Sequence, residues 1–232
     1  MTYVPIDPGK DQLLDAILPH VAFDGWSSAA FKAAIAETGH DPVHARMLCP
    51  RGAVDLAVAY HNRGDRAMIA ALKEADLSHM RFRDKVAHAI RLRIHAIEDK
   101  EAVRRGTALF ALPHMAAEGA KLIWGTADAI WDALGDPSRD GNWYTKRMTL
   151  SGVYASVVLY WLGDDSLDAQ ATDAFIDRRI DDVMQFEKAK AQLGKNPLLR
   201  PLTGPLVRMM GAIKAPIRTP QMDLPGIWRD SQ

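Results

Sequence analysis

Residues able to do chemistry are sparse in this chain, and few of them fall at working spacings. The single Glu-x-x-His pair is Glu37 with His40. A di-iron centre in a helical bundle takes two such pairs plus two further glutamates. Gly39 sits where that helix should end, so these two side chains need not share a face. His61, His88 and His95 have no glutamate three residues before them and read as core or surface histidines. Cys49 is the lone cysteine, which excludes an internal disulfide and a cysteine-paired zinc site. No glycine-rich phosphate loop, Gly-x-Ser-x-Gly elbow or His-Glu-x-x-His motif occurs. The residues therefore predict no catalytic group, no metal and no cofactor: a non-enzyme.

Patterns suited to binding remain. Trp124, Asp128 and Trp131 are spaced i, i+4, i+7, with Lys121 at i−3, so all four lie on one helix face. Two tryptophans flanking an acid suit a partner-binding patch, and the same spacing suits two indoles packed in a core. Ile90, Ile94, Leu109, Leu112, Met115, Val153, Val157 and Trp161 come from central helices and are candidates for the wall of an apolar cavity. Each is equally suited to an ordinary core position. Near the end, Leu198, Leu199, Leu202, Leu206, Met209, Met210 and Ile213 fall within a sector of roughly 120° on a helix. Arg200 and Arg208 lie opposite, and Lys195, Lys214 and Arg218 flank the segment. That arrangement suits an interfacial helix on an anionic membrane surface. Pro201 and Pro205 count against a regular helix, and the same stripe could fold back on the bundle.

The elements that must carry these residues read as helices throughout. Among 232 residues, 48% are hydrophobic and 25% charged, an ordinary globular composition. Formal net charge is zero, but the tail from Lys188 holds eight basic residues against Asp223 and Asp230. No stretch shows sustained β alternation. A first helix is predicted from about Lys10 to Leu18, stopped by Pro19. A second starts at Ser27 or Ser28 and ends at Gly39, and a very short third runs from His44 to Leu48. A fourth starts near Gly52, with Gly64 as a possible break, and a fifth near Ser78. Residues 100–112 and 113–134 supply two more. Met148 to Gly163 is free of charge but, at 16 residues, shorter than the ~20 a spanning helix needs. It reads as a buried helix, opened by Asn142 as a cap. Asp164-Asp165-Ser166 caps the next helix, and an acid between Asp177 and Asp182 is the expected partner of Arg147.

Three short helices before a larger bundle outline a TetR-regulator-like architecture. Residues 10–50 form its head, 52–192 its bundle, and 193–232 a linker, amphipathic helix and tail. A DNA-reading head needs cations for phosphates. From Asp11 to Pro50, however, only Lys32 and Arg46 stand against Asp11, Asp15, Asp24, Glu37 and Asp41.

Longer strings are more specific. They include Leu14-Asp-Ala-Ile-Leu-Pro-His20, Phe23-Asp-Gly-Trp-Ser27, Pro50-Arg-Gly-Ala-Val-Asp-Leu56 and Arg104-Arg-Gly106. Thr126-Ala-Asp-Ala-Ile-Trp131, Asn142-Trp-Tyr-Thr-Lys-Arg147, Tyr160-Trp-Leu-Gly-Asp-Asp165 and Phe175-Ile-Asp-Arg-Arg-Ile-Asp-Asp182 follow. In this order, from about Leu13 to Lys190, they resemble the family of the ninth coenzyme-Q factor, lipid-binding accessory proteins of ubiquinone biosynthesis. The resemblance implies an all-α, TetR-like fold, a homodimer, and a cavity for an isoprenoid lipid or quinone intermediate. It also implies presentation of that lipid to a di-iron demethoxyubiquinone hydroxylase or an equivalent, with Asp128 and Trp131 on the partner surface. Met1 to Lys10, with Pro5, Asp7 and Pro8, has no apolar core and is not an arginine-rich leader. The expected form is therefore bacterial and cytoplasmic, peripheral to the inner membrane, with no nucleic-acid partner. The rival readings are a TetR-type DNA-binding regulator and a helical lipid-modifying enzyme.

Overall fold

Helix-forming runs separated by capped turns become nine α-helices among the described residues of this computed structural model, which are 7–195 with 215 and 216. They are α1 (Pro8–Asp24), α2 (Ser28–Thr38), α3 (Pro42–Leu48), α4 (Ala53–Glu74), α5 (Phe82–His95), α6 (Lys100–Phe110), α7 (Ala116–Ala133), α8 (Gly141–Leu162) and α9 (Gln170–Lys195). Local chemistry sets the boundaries. The side chains of Asp7, Ser27, Asp41, Asp99 and Asp140 each accept a backbone N–H in the first turn of the helix they open. Gly25 and Gly39 close α1 and α2 at positive φ, where an L side chain would be strained.

Several boundaries differ from those expected. Pro19 does not stop α1; the helix runs to Asp24 because Val21, beyond the proline, is fully buried. Gly64 does not break α4. Ser78 opens no helix, because its N–H bonds the Asp76 carboxylate in a local turn and α5 begins at Phe82. Asp140, not Asn142, caps α8, and Asn142 N–H is the group it caps. Asp164 does cap α9, but from a distance: its carboxylate accepts both the N–H and the hydroxyl of Thr172 across a single 3-10 turn. The amphipathic segment Leu198 to Ile213 lies outside the described residues.

Two cores share one helix. The head core gathers Leu13, Leu14, Ile17, Val21, Phe31 and Ala34 around the first half of α4, Ala53 to Ala59. The bundle core gathers Ile90, Ile130, Tyr154, Val157 and Ile176 around the second half, Met68 and Leu72. Between the halves sit the buried residues Gly64 and Asp65. Surface ion pairs tie the elements: Arg63 of α4 meets Asp15 and Asp11 of α1 at 2.6 and 3.1 Å. Arg91 of α5 meets Asp177 of α9 at 2.6 Å. Because α4 crosses both cores unbroken, Leu13→Ala should cost about 2–5 kcal/mol of stability. Urea unfolding followed by circular dichroism should remain a single transition, and a second transition for the head would show the cores to be independent.

Candidate functional site

A buried polar cluster occupies the point on α4 where the two cores meet. Asp65 accepts from Arg93 Nε of α5 at 2.6 Å, and both side chains are at most 3% exposed. Arg93 Nη2 also donates to the His61 carbonyl at 3.0 Å. Thr126 of α7 donates to Asp65 at 2.9 Å, and His61 Nε2 lies 2.9 Å from Thr126 Oγ1. Tyr154 of α8 places its ring 5.8 Å from the Arg93 guanidinium. Gly64 is required here: a Cβ at that position would stand 2.5 Å from Arg93 Nη1. Burial, with the Arg93 charge adding to it and Asp65 opposing, pushes His61 down to about 4, so the imidazole is neutral. Burial pushes Tyr154 up to about 12.

Of this cluster, His61, Gly64, Arg93 and Tyr154 line the floor of a cavity of about 360 Å³. The walls come from both cores: Trp26, Ala57 and Ala102 on the head side, Ile97, Ile123 and Val158 on the bundle side. Exposed Ala67, Glu98, Ala111, Ala116, Ala120 and Leu159 form a rim open to solvent. Much of the wall is alanine and glycine. On α4, Ala57, Gly64 and Ala67 recur near helical spacing, and Ala102 with Gly106 does the same on α6. Trp26 Nε1 donates to the Ala102 carbonyl at 3.0 Å, which fixes the indole as one wall.

None of the eight bulky residues suggested for the wall lines this cavity. Ile90, Ile94, Val153, Val157 and Trp161 are buried in the bundle core, Leu109 packs against the head core, Met115 is half-buried, and Leu112 is exposed. Large apolar side chains fill space; the cavity lies where small ones leave it. The facing stripes of alanine and glycine were the signal that points to it.

The Lys121, Trp124, Asp128, Trp131 face divides. Lys121 is exposed, and Trp124 and Trp131 are half-buried. Asp128 turns inward and meets Arg147 Nε at 2.5 Å. Arg147 is fully buried and also meets Asp132 and Asp136, at 3.0 and 3.1 Å, so its acids come from α7 and the α7–α8 connection rather than from residues 177–182. Trp143 stacks on its guanidinium at 4.0 Å. Trp131 Nε1 donates to the Lys146 carbonyl at 3.2 Å, and its ring stacks on Phe82 at 5.5 Å. Ala215, beyond the undescribed segment, donates its N–H to the Arg139 carbonyl of the same connection.

Comparison with known proteins adds a family. Residues 116–187, which carry the Arg147 cluster and the Trp131 face, match the COQ9 family model. The chain is similar to COQ9 proteins over most of its length. It is 30% identical over 192 residues to the probable mitochondrial ubiquinone biosynthesis protein coq9 of Dictyostelium discoideum, covering 78% of this chain and 61% of that protein. It is 26% identical over 194 residues to human COQ9, covering 79% and 60%, and 33% identical over 112 residues to rat COQ9, covering 48% and 35%. The chain therefore spans less than two thirds of the length of these relatives. In fold it is similar to a TetR transcriptional regulator from Nitrosomonas europaea, with a TM-score of 0.62 at 18% identity, covering 75% of this chain and 97% of that one. The expected all-α, TetR-like architecture is thus observed.

Two outcomes follow from the buried charges. Arg93→Leu leaves Asp65 without its cation and should cost about 3–5 kcal/mol, whereas the pair Arg93→Met with Asp65→Leu should recover most of that in urea titrations. Burial pushes the Asp136 carboxyl up, but Lys146, Ser138 and Arg147 outweigh it and hold it below its ordinary 3.8. Hydrogen bonds from Thr172 and Ser166 hold Asp164 well below the same value. A depressed carboxylate contributes stability above its unfolded pKa and loses it as pH falls through the folded one. Thermal midpoints should therefore begin to fall below about pH 6.5, where the unfolded chain protonates the histidine that the fold holds neutral down to about 4, and fall further below about pH 4 as the two carboxylates are protonated. A chain with both Asp136→Asn and Asp164→Asn should start lower and drop less.

Proposed function

We propose that this chain binds an isoprenoid lipid of ubiquinone biosynthesis in the cavity between its two cores and presents it, without chemistry of its own, to a membrane-bound hydroxylase. The observation that carries this reading is the cavity itself: a mostly apolar wall in which alanine and glycine sit among Trp26, Ile97, Ile123 and Val158, a polar floor at His61, Arg93 and Tyr154, and a rim open to solvent. An apolar cavity with a few convergent polar groups is the usual form of a small-molecule site. The relation to proteins titled ubiquinone biosynthesis protein COQ9 supplies the pathway.

The surface supports the remaining parts of the proposal. No helix among the described residues is long and apolar enough to cross a membrane; we assign membrane access to the sequence from Leu198 to Ile213, whose apolar stripe and flanking basic residues suit a membrane surface. The half-buried Trp131 and Trp124 with exposed Lys121 remain the partner face, and Asp128 serves it from behind by holding Arg147. On α8 and α9, Met148, Leu159, Met184 and Phe186 are exposed, an apolar face suited to a second copy. Against a DNA-reading head, the exposed face of α3 carries Val43 and Met47 beside a single arginine, Arg46.

Lipid extracted from the purified full chain and identified by mass spectrometry tests the reading. A prenylated species should co-purify with the wild type. Ala155→Trp, which places an indole in the cavity wall, should reduce it at least tenfold with circular dichroism unchanged. Equal lipid in both would show that the cavity is not the site.

A further inference from the structure

The chain from Gly106 to Ala117 runs twelve residues without an Asp, Glu, Lys or Arg. It comprises the end of α6, the connection to α7 and the first residues of that helix. A charge-free run of this length is ordinary inside a core, but this one lies outside. Ala108, Ala111, Leu112, Pro113, Ala116 and Ala117 are all exposed. The tip they form is firmly built: a Cβ on Gly119 would stand 2.9 Å from Phe110 Cβ, so α7 lies directly against the end of α6. Ala111 and Ala116 also belong to the rim of the cavity, which makes this tip one lip of its mouth. Charges begin only behind it. Arg104 and Arg105 precede Leu112 by about 10–12 Å of helical rise. Both are exposed and share Glu101, at 2.9 and 3.0 Å, so that side keeps one net positive charge. Lys121 follows, exposed, on α7. Glu118 is drawn to Arg51 at 3.7 Å, and the one acid of the rim, Glu98, belongs to the α5–α6 connection.

We propose that the α6–α7 tip inserts its uncharged face into the surface of a lipid bilayer, so that the cavity mouth opens against the membrane. This rests on the lipid-binding reading above. An isoprenoid chain crossing open water between bilayer and cavity would lose its apolar surroundings, so the mouth is where contact is needed. An exposed apolar patch continuous with that mouth marks an interaction surface. Its charge pattern complements a bilayer rather than a second copy. An interfacial segment sits roughly 5–10 Å deep with its cations toward the headgroups, and Arg104, Arg105 and Lys121 are set back from the tip by a comparable distance. The tail does not replace this contact. Ala215 bonds the Arg139 carbonyl beyond the other end of α7, a helix of 18 residues and so about 27 Å long. A membrane contact held there alone leaves the mouth unplaced.

The full chain carrying Leu112→Cys, labelled with an environment-sensitive dye, tests this on phosphatidylcholine–phosphatidylglycerol vesicles. Cys49 is fully buried and takes no label. On vesicles the dye at position 112 should shift to the blue and be quenched by nitroxides on the acyl chains. The same dye on Lys32→Cys, at an exposed position of α2, should do neither. Leu112→Glu should weaken vesicle partitioning at least about tenfold with circular dichroism unchanged, because a charge replaces an inserted leucine. A dye at position 112 that stays in water while the chain floats overturns the proposal and leaves membrane access to the tail. Leu112→Glu partitioning like the wild type overturns it too, as does a wild type that does not float. A blue shift before vesicles are added, growing with protein concentration, shows that a second copy covers the tip and likewise overturns it. If the dye enters the bilayer but Ala155→Trp keeps its lipid, the tip contact stands and the cavity reading falls.

Discussion

A guanidinium and a carboxylate meet out of water at the middle of α4, and the layout of the molecule depends on how that charge pair is satisfied. Arg93 and Asp65 are buried almost completely. Removing two charges from water costs several kcal/mol per ion, so the pair persists only with its remaining hydrogen bonds made. The fold supplies them from four helices: the His61 carbonyl from α4, Thr126 from α7, the Tyr154 ring from α8 and the arginine itself from α5. Gly64 gives the guanidinium its place against the α4 backbone. A polar cluster fixed there prevents the head core and the bundle core from merging into one. The cavity is the space left at that seam.

The second buried arginine does comparable work at the other end of α7. Arg147 gathers Asp128, Asp132 and Asp136, one helical turn apart, and so fixes α8 against α7 and orders the connection between them. This explains why an acid can sit between two tryptophans without facing solvent. Asp128 is spent inward, and what reaches the surface is the edge of Trp131, held by its bond to the Lys146 carbonyl and by Phe82. Replacing Asp128 would therefore alter any partner surface through α8 rather than by loss of a direct contact. Replacing Trp131 would act at the surface itself.

Much of this was legible in the residues, and the exceptions have physical causes. Helix order, the caps at Ser27 and Gly39 and the short third helix follow from local signals within a few residues. The end of α1 did not, because burial of Val21 outweighs a proline, and only the tertiary structure shows that burial. The expected partner of Arg147 was an acid of α9, but there Asp177 and Asp181 pair with Arg91 and Arg83 of α5 and Asp182 pairs with Arg179. Abundant acids in one chain make long-range pairing unreadable from charge alone. The cavity was missed for a different reason: bulky apolar residues draw attention as lining, yet in a close-packed interior they fill volume. Alanine and glycine at helical spacing on facing helices are the better mark of an intended void.

The same seam draws in a residue of the acidic head. In this chain the head does not end at its own surface. Trp26, just after α1, reaches across to the Ala102 carbonyl of α6 and walls the cavity. Gly106 lies on the same side, with room for a Cβ only 3.5 Å from the indole nitrogen. Arg105 reaches back to the Ala22 carbonyl, fastening α6 to the end of α1. The three-helix head thus contributes one wall residue, Trp26, and α4 and α6 carry the rest of that side. The head's outward face is released from the need to carry cations, and α3 exposes Val43 and Met47 there instead. A fold similar to that of a transcriptional regulator thus carries a cavity at the seam between its two cores. The constraint that selects residues in the head is the position of one indole against α6.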